Sequence, residues 1–277
     1  MGKLQGKVAI VSGSGRGIGR AIAMKLAAEG ARVVVNDLDA GAADEAVAAI
    51  QAAGGEAITC VGNVTADDFA ARFVNKAIER LGGLDIIVNN AGYTWDNVIQ
   101  KMDDRQWEAI LGVHLTAPFR ILRAASGFIR DSARKEAEQG REVFRKVVNI
   151  SSTSGVYGNA GQANYATAKA GINGLTRAMS KEWGRYKVNV NSVAFGLIKT
   201  RLTETPANGG SHIDIDGQRI QVGVNPQILK SAETSIPLGR SGTPDEAAGA
   251  VLLFCFPESN YVSGQTLVCA EIGRAHV

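Results

Sequence analysis

A tyrosine and a lysine, Tyr165 and Lys169, stand four positions apart in GNAGQANYATAKAG, residues 158–171, where nearly every other side chain is small. Positions i and i+4 of a helix share a face, so a phenol and an ammonium at this spacing point into the same space. A free phenol titrates near pH ~10; an ammonium beside it favours the ionised form, and the pair can then move a proton to or from a bound substrate. The competing reading is an ordinary surface pair on a helix, and other residues must decide between the two.

A glycine-rich turn offers a second kind of chemistry. VAIVSGSGRGIGRAIAMKLAAEG begins as a strand, passes through glycines and continues as an amphipathic helix. Gly13 permits a tight turn, Gly17 lets backbone approach a pyrophosphate, and Gly19 lets the helix pack closely, with the helix N-terminus facing the anion. Asp37 ends the second apolar run, RVVVND, about 18 residues beyond Gly19. A carboxylate there can accept hydrogen bonds from an adenosine ribose and repels a 2′-phosphate. Leu38 adds no cation, although Arg16 in the turn could reach a phosphate; the balance favours NAD over NADP. Asp37 could instead cap the helix that follows.

The elements that would hold these residues follow from periodicity. Short β-branched runs recur at Val8–Val11, Arg32–Asn36, Ala57–Val61, Leu84–Asn89, Val147–Ile150, Val188–Val193 and Thr266–Val268. Between most of them lie helical patterns such as Gly19–Glu29, Gly41–Ala53, Ala66–Leu81 and Asp104–Arg130. The runs are apolar throughout rather than alternating, as in strands covered on both faces. The expected fold is α/β, a doubly wound parallel sheet of Rossmann type with right-handed crossovers. No linker interrupts the rhythm, so residues 1–270 read as a single domain. DSARKEAEQGREVFRK, residues 131–146, is dense in charge and reads as a helix extended into solvent. Residues 203–235 exceed an ordinary connection and read as a substrate lid. Within it Asp216-Gly217 predicts a two-residue hairpin that sets Ile213 opposite Ile220 and gives the lid an apolar underside.

Composition narrows the function classes. The chain has 277 residues, 45% of them hydrophobic, enough to bury a full core. Its 30 basic and 27 acidic residues are dispersed, leaving no basic stripe to track phosphates, which argues against a nucleic-acid partner. No run of about 18 apolar residues offers a membrane span, and MGKLQGKVAI lacks both the apolar run and the cleavage site of a secretory leader. The expectation is a soluble, cytoplasmic protein with no membrane partner. Cys60, Cys255 and Cys269 are odd in number and far apart, which argues against a disulfide framework and a zinc site; no metal is expected.

SGSGRGIG at residues 12–19, NNAG at 89–92 and Tyr165-x-x-x-Lys169, in that order, resemble the short-chain dehydrogenase/reductase family over nearly the whole chain. GNAGQANYATAKAG and VSGQTLV are most similar to its 3-oxoacyl-acyl-carrier-protein reductases and related bacterial 3-hydroxyacyl-CoA dehydrogenases. The resemblance implies nicotinamide-dependent hydride transfer with Tyr165 as general acid/base. Ser152, thirteen residues upstream, would hydrogen-bond the reacting oxygen, and Lys169 would hold the nicotinamide ribose while favouring the phenolate. Ser151 cannot face the same way on an extended strand end. By the same resemblance Arg16 and Ile18 join the glycines of the turn at the cofactor, and Asn63 and Val64 lie at the adenine edge. Asn90 would steady the sheet while Ala91 and Gly92 run along the adenosine side, and Ile198 and Thr200 would contact the carboxamide.

Three positions depart from the family pattern. His114, in WEAILGVHLTAPF, occupies a site usually held by an asparagine that anchors a water behind the lysine. A neutral imidazole also donates and accepts, so His114 is expected to keep the proton relay in altered form, the alternative being a packed core histidine. Phe195, in NSVAFG, replaces a usual proline and is expected to loosen the turn entering the lid. The string EIGRAHV would be encoded by GAG ATC GGA AGA GCA CAC GTC, which resembles a sequencing-library adapter. Native sequence is therefore expected to end near Ala270, with residues 271–277 a non-native tail.

The expected reaction is hydride transfer to or from a ketone or secondary alcohol. By resemblance the substrate is first a 3-oxoacyl or 3-hydroxyacyl thioester carried by CoA or acyl carrier protein, and second a steroid or other bulky alcohol. A redox sensor that binds cofactor without turnover is the reading from another class. The resemblance also implies a homotetramer, or a dimer if the altered tail removes a contact.

Overall fold

The computed structural model describes residues 2–200, 211–215, 218–222, 233–234 and 236–271, with backbone alone in 211–215 and 218–222. The strands are β1 (Val8–Val11), β2 (Arg32–Val35), β3 (Glu56–Thr59), β4 (Ile86–Asn89), β5 (Arg145–Ser152), β6 (Val188–Phe195), β7 (Ser211–Ile215), β8 (Gln218–Val222) and β9 (Thr266–Cys269). Seven of them form a sheet in the order β3-β2-β1-β4-β5-β6-β9, every pairing parallel. The chain runs outward from β1 to β3, then returns to place β4 on the other side of β1. That reversal opens a crevice at the carboxyl ends of β1 and β4, where loops from opposite halves diverge.

The helices are α1 (Gly17–Ala28), α2 (Ala40–Ala52), α3 (Phe69–Leu81), α4 (Asp104–Leu111), α5 (Ala117–Glu138), α6 (Thr153–Tyr157), α7 (Ala163–Trp183) and α8 (Pro244–Leu253). Successive strand residues face opposite sides, so β1 serves two cores. Ala9 and Val11 pack with Ile22 and Leu26 of α1 and Val251 of α8, while Val8 and Ile10 pack with Phe69 and Phe73 of α3 and Ile121 of α5. Helices on both faces explain why the strands are apolar without alternation.

The expected strands and helices appear in order, and β7 pairs antiparallel with β8 so that Ile213 lies opposite Ile220. The remainder of the lid at 203–235, apart from residues 233–234, and its apolar underside lie outside the described residues, as do residues 272–277 of the tail. Three expectations need correction. The helix expected over Asp104–Arg130 is broken by a π-helical turn at Gly112–Thr116 between α4 and α5. The charge-dense stretch at 131–146 is not all solvated. Arg145 and Lys146 are buried on β5, at 5% and 4% exposure. The Arg145 guanidinium donates two hydrogen bonds to the Glu136 carboxylate at 2.9 and 2.6 Å, and Lys146 Nζ donates to Asn189 and Asn260 Oδ1, each at 2.8 Å. Phe195 stands on a strand rather than in the turn: it ends β6 in register with Ser152 and Cys269 and is buried in the first core.

Among the described residues no helix is long and apolar enough to cross a membrane, and no cluster of His, Cys, Asp or Glu could hold a metal ion.

Candidate active site

The turn after β1 has the geometry its glycines predict. Gly13 has φ +61°, and a Cβ there would stand 2.7 Å from Ala91 Cα; Gly17 has φ +55°. Both values lie in the left-handed region that side chains with a Cβ avoid. A Cβ on Gly19 would meet Gly13 O at 2.1 Å and Asn90 Nδ2 at 2.5 Å, so this glycine lets α1 pack on the turn itself rather than on the sheet. α1 starts at Gly17 with no side chain capping it, which leaves first-turn N–H groups directed at the crevice, the arrangement an anion requires.

Asp37 does not cap α2; Asp39 does, accepting from the N–H groups of Gly41 and Ala42. The Asp37 carboxylate instead accepts one backbone N–H at each oxygen, from Gly15 and from Asp39, both at 3.1 Å. A carboxylate has about four lone-pair positions, so each oxygen keeps capacity for a ribose hydroxyl. Arg16 is engaged by Asp39 through a 2.6 Å ion pair, so its guanidinium turns toward α2 rather than along the turn.

Two asparagines hold these loops together. Asn90 Nδ2 donates to Ser12 O and Gly13 O, both at 2.9 Å, and the amides of Asn90 and Ala91 donate to Ser12 Oγ at 3.0 Å. The NNAG loop is thereby clamped to the glycine turn across the switch point. Asn36, which no motif singled out, accepts from Gly13 N at 3.1 Å and donates to Cys60 O and Gly62 O at 2.9 and 3.0 Å. Its buried side chain joins the ends of β1, β2 and β3. Beyond β3, Asn63 Oδ1 accepts from the Thr65 amide and hydroxyl, at 3.0 and 2.8 Å, and Val64 is buried beside it.

Ser152 ends β5, and Tyr165 and Lys169 lie one turn apart on α7. Ser152 Oγ accepts from Ser154 N at 3.2 Å, leaving its own O–H to donate forward. Ser151 faces away, donating to Lys169 O at 3.0 Å. Lys169 Nζ donates to Ile150 O at 2.7 Å and lies 5.6 Å from the centre of the Tyr165 ring. Burial pushes the phenol up to about 12, partly offset by the Ser152 hydroxyl, and pushes the ammonium down to about 7. The protein alone therefore keeps Tyr165 protonated. Small residues around the pair give the room for this: a Cβ on Gly155 of α6 would stand 2.5 Å from Lys169 Cβ, and one on Gly171 would stand 3.0 Å from Leu115.

His114 sits in the π turn, 4% exposed. Its Nε2 lies 2.7 Å from Tyr93 O; a carbonyl only accepts, so Nε2 carries the hydrogen. Desolvation first, and the Lys169 charge second, hold the imidazole pKa well below its ordinary value, and the ring is neutral. Nδ1 is then a buried acceptor with no protein partner among the described residues. The ring meets Tyr165 edge-on at 5.0 Å, and Gly92 is a glycine because a Cβ would stand 2.0 Å from His114 Cε1.

All these groups line one cleft of about 1220 Å³, with Ile18, Asp37, Asn63, Ala91, Phe195, Ile198 and Thr200 on its wall. Ile198 is held by a parallel bridge to Gly242. Every residue expected at the site is on this wall. The volume, the exposed helix N-terminus, the Gly13 and Gly17 backbone and the Asp37 carboxylate fit a dinucleotide with its pyrophosphate at α1 and its nicotinamide end near Tyr165. Sequence reasoning missed Asn36, Gly155 and a polar group on the opposite lip, Asp96 with Gln162, joined at 2.7 Å.

Known proteins are similar to this chain along most of its length. A 3-oxoacyl-[acyl-carrier-protein] reductase from Synechocystis is 37% identical over 268 residues, covering 96% of both chains. The corresponding reductase FabG of Thermotoga maritima is 32% identical over 265 residues, again covering 96% of both. Hydroxyacyl-CoA dehydrogenase ChsB1 of Mycobacterium tuberculosis is 40% identical over 269 residues, covering 94% of this chain and 80% of its own. The model of the short chain dehydrogenase family matches residues 7–208, a span that runs from β1 past Tyr165 and Lys169. With the dinucleotide crevice and the serine, tyrosine and lysine at its mouth, the match means that this chain belongs to the short chain dehydrogenase family of nicotinamide-dependent oxidoreductases.

Proposed function

We propose that the chain interconverts a 3-oxoacyl and a 3-hydroxyacyl thioester, carried by CoA or acyl carrier protein, with NAD favoured over NADP. The observation that carries this reading is the meeting of Ser152, Tyr165 and Lys169 in the cleft beside the cofactor loops. The names of the relatives support the substrate class. When bound, the nicotinamide supplies or accepts a hydride at the carbon under attack. Ser152 donates a hydrogen bond to the substrate oxygen, and Tyr165, protonated at neutral pH, delivers the proton to it in the reducing direction. Lys169 fixes the ribose and stabilises the phenolate that remains. A relay role for His114 is supported by its buried Nδ1, an acceptor with no hydrogen-bond partner among the described residues.

For the cofactor, Asp37 and Asp39 set two carboxylates against the single guanidinium of Arg16, which is already paired. That surplus of negative charge disfavours a 2′-phosphate. Exposed Trp107, Phe119 and Tyr261 support assembly into a homotetramer or dimer. Free thiols at Cys60, Cys255 and Cys269 are consistent with the reducing cytoplasm.

Consumption of NADH and of NADPH with acetoacetyl-CoA, alongside a panel of ketones and steroids, tests the reading. NADH with the thioester should give kcat/KM at least about tenfold above NADPH, the discrimination of one mispaired charge. Exclusive use of a bulky ketone would replace the substrate class, and cofactor binding with no turnover would support the sensor.

A further inference from the structure

Across the cleft from the glycine turn, a carboxylate stands where the proposed chemistry does not need one. Asp96 belongs to the loop after β4, and it lines the cleft with Tyr165, Ser154, Asn159 and Gln162. The loop is clamped along its length. Tyr93 O meets His114, Trp95 O accepts from Asn164 Nδ2 at 3.1 Å, and Asn97 N donates to Gly161 O at 2.9 Å. Its position relative to α7 is thereby fixed.

Gln162 aims the carboxylate. Its Oε1 accepts from Ser154 Oγ at 2.8 Å and from Asn159 Nδ2 at 3.0 Å, which fills both lone pairs and sets the amide orientation. Nε2 then donates to Asp96 Oδ2 at 2.7 Å. Among the described residues Oδ1 has no hydrogen-bond partner, and no cation pairs with Asp96. Its charge reaches the reacting centre, where it raises the Tyr165 pKa.

We propose that Asp96, aimed by Gln162, is a specificity-determining residue that accepts the amide N–H of the substrate's thioester arm and turns away free 3-oxo acids. The proposal rests on the acyl-thioester reading above. In such a substrate the reacting C3 is followed by C2, the thioester carbonyl, sulfur, two methylenes and an amide N–H, and CoA and acyl carrier protein share this arm. A carboxylate accepting that N–H makes a charge-assisted hydrogen bond. A free 3-oxo acid instead brings its own carboxylate close to the reacting carbon, where Asp96 repels it, with Arg105 and Glu108 both on the cleft wall.

The experiment compares three acetoacetyl substrates in wild type and Asp96→Asn: the N-acetylcysteamine thioester, the S-butyl thioester that lacks the amide, and acetoacetate. The readout is the ratio of kcat/KM values within each preparation, which does not depend on how much of it is folded. Wild type should prefer the N-acetylcysteamine ester by about tenfold, mainly through KM, as expected for a hydrogen bond to a charged group. In Asp96→Asn the preference should shrink to about twofold or less, and relative use of acetoacetate should rise about tenfold. Equal use of both thioesters by wild type, or ratios unchanged in the variant, overturns this proposal and leaves the thioester reading standing. Wild type that reduces ketones but neither thioester overturns both.

Discussion

At the residue scale the site is a balance between burial and charge. Water exclusion raises the Tyr165 phenol to about 12 and lowers Lys169 to about 7, so the expected effect of the lysine on the phenol is overridden until a cofactor is in place. The protein is set to give a proton. In reduction Tyr165 stays protonated across the neutral range, while the ammonium that receives the phenolate charge is lost as pH rises through about 7. The kcat/KM for ketone reduction should therefore fall above about pH 7, and a flat profile from about pH 6 to 9 would contradict this ordering. The contact between Gly92 and His114 makes a second prediction. Gly92→Ala drives a methyl into the imidazole and should lower Tm and activity; adding His114→Ala should recover Tm, whereas equal losses in the single and double variants would show that the contact is not the cause. The meeting of Ser152, Tyr165, Lys169 and the glycines on one cleft was legible because the proposed chemistry restricts which residue types can serve. Asn36, Asp96 and Gln162 were not, since their partners lie 24, 66 and 66 positions away in the chain.

Elements carry these residues, and their periodicity could be read directly where one face is buried. β1 matches its expected span, and α1 to α3 begin within three residues of theirs. The π turn at Gly112–Thr116 could not be read, because one extra residue in a turn leaves the apolar pattern nearly intact. It carries His114 against Tyr93 O. Charge misled at 131–146, since a sequence cannot tell a solvated arginine from one whose partner is nine residues earlier. Arg145 and Glu136 have side-chain exposures of 6% and 13%. Removing Glu136 strands a buried cation, so Glu136→Ala should cost about 3–5 kcal/mol in urea unfolding. The Glu136 pKa is lowered, chiefly by its hydrogen bonds to Arg145. Its stabilisation is therefore present above the ordinary carboxylate value and lost as pH falls through the lower folded one. A cost under about 1 kcal/mol would mark the pair as a surface bridge.

Across the whole molecule, function follows from one reversal of strand order. β1 and β4 diverge at their carboxyl ends; the glycine turn leaves one and the NNAG loop leaves the other, with Asn90 tying them. β5 and α7 then bring Ser152, Tyr165 and Lys169 to the same opening. This much was legible in the sequence, because parallel strands separated by helices admit few topologies. Within 203–235 the pairing of Ile213 with Ile220 was legible from the Asp216-Gly217 turn signal, and most of the rest of that stretch lies outside the described residues. The most direct measurement of the central claim is single-turnover oxidation of NADH by acetoacetyl-CoA in wild type and Tyr165→Phe, with NADH affinity determined in parallel. The account predicts a loss of at least about a hundredfold in rate with affinity within about twofold of wild type. A variant that oxidises NADH at a near-native rate would contradict it.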